Sequence, residues 1–115
     1  MLRIRKEQMD ILGEYMLKKF EDYMVVHLRQ RFAEQLKGTA EEAIRTIVRE
    51  GISKAKCYDI RIEHDVERYI DLMFILGDDF DTSEKILWAG ELLRNNKMQP
   101  RERINGIFNH LEANP

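Results

Sequence analysis

Residues 69–80 read Tyr69-Ile-Asp-Leu-Met-Phe-Ile-Leu-Gly-Asp-Asp-Phe80, and this stretch decides the fold. A nearly continuous apolar run stops at Gly77 and gives way to an acidic turn of Asp78, Asp79 and Asp81 around Phe80. The only tryptophan, Trp88, follows eight residues later. Val66, Tyr69, Ile70, Met73 and Phe74 recur at spacings of three and four, which places them on one face of a helix. Leu72, Ile75 and Leu76 make its last turns apolar nearly all round, as expected of a helix at the centre of a fold. The same spacing dominates elsewhere. Only Arg3–Arg5 and Tyr58–Ile62 look strand-like, and both are short. The chain is therefore expected to be all-α, one domain over residues 1–115, with about five helices and a long N-terminal one.

That first helix is expected from about Arg5 to Leu36, ended by Gly38. Met9, Leu12, Met16, Phe20, Tyr23 and His27 fall on one face. Farther along, Met24, Leu28, Phe32 and Leu36 advance by fours, and each such step turns the face by about 40°. Unbroken, this helix would be about 48 Å long, whereas a globule of this size is about 35 Å across. The helix must bend, project, or pack on a second chain, which makes it the natural place for a partner or a homo-oligomer contact. Thr39 with Glu42 forms a capping box for a second helix ending near Cys57. The central helix starts near Glu63. Asp81 or Thr82, with Glu84, caps a fourth, and Pro100 opens a fifth.

The 115 residues include 19 basic and 21 acidic side chains, a net charge of −2, and 43% are hydrophobic. This size and composition can bury a core without a metal or disulfide staple. The balanced charge argues against nucleic-acid binding, which relies on a concentrated basic surface. The longest apolar run, Leu72 to Leu76, is far short of the ~20 residues that span a bilayer. The opening Met-Leu-Arg-Ile-Arg-Lys-Glu turns charged too early for a signal peptide, and a single cysteine fits a reducing compartment. The expected location is the cytoplasm, with export by a contractile machine that reads no such signal left open.

No catalytic constellation emerges. The acidic turn lacks the alternation and central glycine of a calcium loop, so its carboxylates read as caps. His27, His64 and His110 stand on three separate helices without ligand spacing. Glu63, His64 and Asp65 are sequence neighbours and do not face one another on a helix. No phosphate loop and no nucleophile elbow occur. The expectation is a protein with no enzymatic activity, no metal and no cofactor. Partner-binding candidates are aromatic: Tyr15, Tyr23 and Phe32 on the first helix, with Phe80 and Trp88. The bland alternative is that Phe80 and Trp88 pack on each other across the turn.

The segment Asp65-Val-Glu-Arg-Tyr-Ile-Asp-Leu-Met-Phe-Ile-Leu-Gly-Asp-Asp-Phe-Asp81 with Trp88-Ala89 resembles a family of small helical bacterial proteins. Ile4-Arg-Lys-Glu-Gln-Met9, Phe20-Glu21 and His27-Leu-Arg29 extend the resemblance over nearly the whole chain. Members of that family are encoded beside type VI secretion spike-tip proteins, effector-loading chaperones and toxic effectors. The resemblance implies an accessory role, as a co-chaperone or adaptor for a secreted effector, its loading chaperone or a spike-tip protein. An immunity protein against a cognate toxin is the alternative. The family supplies no catalytic residues to carry over. Ile62 departs from its pattern, which often has a small hydroxyl residue there as a helix cap.

Overall fold

The computed structural model describes residues 2–114, with side chains from residue 15 to residue 114. The described residues are all-helical, with no strand: α1 Leu2–Arg31, α2 Glu41–Cys57, α3 Glu63–Leu76, α4 Leu87–Leu93 and α5 Pro100–Ala113, with a 3-10 turn at Glu84–Ile86. None of the helices is long and apolar enough to cross a membrane. The chain divides into two units, Met1–Val48 and Arg49–Pro115, and α2 runs through the division.

In the first unit α1 stops at Arg31, five residues before the expected end. Residues 32–38 form successive turns, held by Phe32 N–H donating to Leu28 O and Leu36 N–H donating to Phe32 O. Gly38 completes them with φ 79°, a left-handed value that suits glycine. The turns leave Leu36 buried. The apolar spacing of four thus continues past the point where the helix ends. Arg29 Nη2 donates to Thr39 O at 3.0 Å, tying the end of α1 to the start of the next segment. α2 begins at Glu41, one residue later than a Thr39 cap implies, and Ala40 supplies the first helical carbonyl.

The buried apolar residues of this unit are Phe20, Met24, Val25, Leu28, Leu36, Ile44 and Val48. Of the expected α1 face, Phe20 is buried, but Met16 and Tyr23 are exposed. The Met9 and Leu12 side chains lie outside the described ones. The buried side of α1 is therefore the one that steps by fours.

The second unit is organised around α3, as expected. Val66, Tyr69, Ile70, Leu72 and Met73 are buried, together with Ala55, Ile60, Phe80, Ala89, Leu93, Ile104 and Ile107. The α2–α3 connection is not extended. It is a left-handed turn in which Ile60 N–H donates to Ala55 O and Asp59 N–H to Lys56 O, both at 2.9 Å, with Asp59 at φ 63°. This six-to-one and paired bonding satisfies the last α2 carbonyls and drops Ile60 into the core. Ile62 stands before α3 in extended conformation and gives it no side-chain cap.

Two close approaches constrain this unit. A Cβ on Gly51 would lie 2.5 Å from Ile70 Cγ1, so α2 crosses α3 where only glycine fits. A Cβ on Gly90 would lie 2.5 Å from the carbonyl oxygen of Asp81, so α4 rests against the backbone of the acidic turn. α5 starts at Pro100. Gln99 N–H donates to Glu102 Oε1 at 2.8 Å, the backbone half of a capping box.

Candidate protein-binding surfaces

The five candidate aromatics fall into two groups, one in each unit. On α1, Tyr15 and Tyr23 are 61% and 51% exposed. Met16 and Val26 are exposed on the same side, whereas Leu17, also exposed, lies on the side of buried Met24 and Leu28. Several large apolar side chains facing outward on one helix is the feature that marks an interaction surface. Lys19 Nζ lies 5.1 Å from the centre of the Tyr15 ring, a cation–π arrangement. The Tyr23 and His27 rings stack at 5.8 Å and 16°. Phe32 sits half-buried in the turn after α1, with the Arg31 guanidinium 5.5 Å from its ring centre.

Charge anchors the flank of this surface. Arg45 on α2 donates to Glu21 Oε1 at 3.3 Å, Asp22 Oδ1 at 2.6 Å and Glu41 Oε2 at 2.9 Å. The hydrogen bond from Arg45 holds the Asp22 carboxyl below its ordinary range. The bonds to Asp22 and Glu41 in turn raise the pKa of the guanidinium.

In the second unit Phe80 is fully buried and its ring packs on Tyr69, centroids 5.0 Å apart. Trp88 is half-buried and stacks on His110 of α5 at 3.8 Å. Phe80 and Trp88 thus take different ring partners, Tyr69 and His110. Leu87, beside Trp88, is 55% exposed.

The acidic turn separates its carboxylates. Asp78 and Asp79 are exposed, while Asp81 is buried. Tyr58 OH donates to Asp81 Oδ2 at 2.8 Å, and Arg94 Nη1 donates to Asp81 O at 3.0 Å. Asp81 therefore faces the core and does not cap the next helix. Ser83 caps the 3-10 turn, accepting from Lys85 N–H at 3.2 Å, and α4 has no side-chain cap at Ile86. Burial and the Asp81 hydrogen bond push the Tyr58 phenol up to about 12. Burial raises the Tyr69 phenol as well. The Tyr69 hydroxyl and Asp81 Oδ1 are buried without a hydrogen-bond partner. These groups form a polar corner within the unit, with Tyr69 and Asp81 buried and Tyr58 half-buried. Asp65 of the Glu63–His64–Asp65 run is buried as well and accepts from Arg101 Nε at 3.1 Å.

Sequence reasoning does not single out Leu17 and Val26, although both are exposed on α1. The signal for Val26 is the spacing Met16, Lys19, Tyr23, Val26, which alternates three and four. Comparison with family models, with curated proteins and with solved structures returns no match to this chain.

Proposed function

We propose that this protein is a non-enzymatic accessory of type VI secretion, a co-chaperone or adaptor that binds an effector or its loading chaperone in the bacterial cytoplasm. The observation that carries the reading is the outward face of α1, where Tyr15, Met16, Tyr23 and Val26 are exposed together. Tyrosine brings large contact area at low conformational cost and a hydroxyl for the rim, which suits the centre of a docking surface. The titratable groups of the second unit support a binding role too. Buried Asp81 accepts from Tyr58, and buried Asp65 accepts from Arg101, whose side chain is exposed.

The test is co-expression with the product of each flanking gene, followed by gel filtration of the purified pairs. A stable complex with an effector or chaperone is expected, weakened by Tyr15→Ala with Tyr23→Ala. Separate elution of every pair would sink the proposal. Rescue of cells from a co-encoded toxin, without any effect on its delivery, would replace it with an immunity role.

A further inference from the structure

Among the described residues, two buried side-chain atoms stand without a hydrogen-bond partner, the Tyr69 hydroxyl and Asp81 Oδ1. Tyr69 is wholly buried and Asp81 is 7% exposed. A polar group at such depth has given up its hydration, so native folds leave few of them unmatched. Both lie in the same corner of the second unit. Phe80, next to Asp81 in sequence, packs its ring on Tyr69 at 5.0 Å. Tyr58, whose hydroxyl donates to Asp81 Oδ2 at 2.8 Å, brings its own ring within 6.2 Å of the Tyr69 ring, centroid to centroid. Burial raises the Tyr69 phenol, and the Asp81 charge adds to that rise. The Arg94 guanidinium flanks the corner: Nη1 donates to Asp81 O at 3.0 Å, and Nη2 lies 2.7 Å from where a Cβ on Gly90 would stand.

We propose that this corner is a binding site for one buried water molecule, which accepts from the Tyr69 hydroxyl and donates to Asp81 Oδ1. The inventory of protons selects water. The Tyr69 hydroxyl has a hydrogen to give, and a carboxylate oxygen only accepts. Tyr58 spends its hydrogen on Oδ2 but keeps lone pairs that take the water's second hydrogen. The water then makes three hydrogen bonds, the usual number for one enclosed in a protein. A divalent cation does not suit the corner. It needs six or more oxygens, whereas hydrogen-bond donors point at the carboxylate and the Arg94 charge stands beside it. The water joins α3, the turn after α2 and the acidic turn at a single point.

Tyr69→Phe in the full chain tests this, because the sign of its effect separates the readings. Loss of a hydroxyl that holds the water should lower Tm by about 4 °C. Loss of an unmatched hydroxyl would raise Tm, since the cost of burying it goes too. An unchanged or higher Tm overturns the proposal. The second measurement is a high-resolution crystal structure of the parent chain, which does not depend on the variant folding. It should show one ordered water within about 3.2 Å of both the Tyr69 hydroxyl oxygen and Asp81 Oδ1. A direct hydrogen bond between those two side chains, or a corner without that water, overturns the proposal whatever Tm does.

Discussion

Arg45 and Arg103 each bind three oxygen acceptors, and they do opposite jobs. Arg45, in the first unit, faces three carboxylates, two of which are well exposed. Arg103, in the second, is buried and faces backbone. Its Nε donates to Met98 O at 3.0 Å and its Nη1 to Tyr58 O at 2.9 Å and Leu93 O at 3.2 Å. Those carbonyls belong to three different connections: the turn after α2, the end of α4 and the loop before α5. The planar guanidinium reaches all three because its donors fan out in one fork. A surface charge cluster gains little, since water competes for every partner. A buried arginine that satisfies otherwise orphaned carbonyls is costly to remove.

The sharpest way to break the contrast is Arg103→Met, which keeps the volume and strands three carbonyls. A loss of about 3 kcal/mol is expected, seen as a fall of about 10–15 °C in Tm. Arg103→Lys should recover only part of it, because an ammonium cannot span the three sites. If Arg103→Met unfolds like the parent, the buried pin is unimportant. Next in size is Gly90→Ala. Its methyl meets the Asp81 carbonyl oxygen at 2.5 Å, and the backbone must shift, at about 2 kcal/mol. Denaturant titration measures this, and an unchanged midpoint would show that the turn and α4 are not in register-fixing contact.

A smaller effect is expected at the Tyr58–Asp81 hydrogen bond. Tyr58→Phe leaves Asp81 Oδ2 without its donor and should cost about 1 kcal/mol. It also carries a pH signature. The folded pKa of Tyr58 lies above the ordinary 10.0, at about 12. Its contribution is therefore complete below pH 10.0 and is lost as pH rises from there towards 12. Tyr58→Phe should flatten that alkaline decline in an unfolding series; an equally steep decline would assign it elsewhere. Smallest is Arg45→Ala, whose effect should shrink with added salt. The Asp22 carboxyl is lowered from 3.8 by Arg45, so this contribution holds above 3.8 and fades as pH falls through the lowered value. A salt-independent loss would place Arg45 with Arg103.

The same contrast explains what could be read from sequence. α3 was readable because its signal is local: apolar spacing of three and four, ended by Gly77. Pro100 marks the start of α5 for an equally local reason. The end of α1 was not readable, because Phe32 and Leu36 keep the spacing of four while the chain has already left the helix. Asp81 could cap the next turn or accept from a distant donor. Its partner Tyr58 is 23 residues away, and no local rule chooses between them. Arg103 sits next to Ile104 in sequence and looks like any charged residue on an amphipathic helix. Its acceptors reach back as far as 45 residues. At the candidate surface, residue type pointed to aromatics, but only packing separates exposed Tyr15 and Tyr23 from buried Phe80.

Cys57 closes α2 with its side chain exposed, two residues before the left-handed Asp59. It is the sole thiol in the sequence. A maleimide dye or nitroxide therefore marks the chain once, at a helix terminus, with no engineered residue. A label there reports on the turn that drops Ile60 into the core.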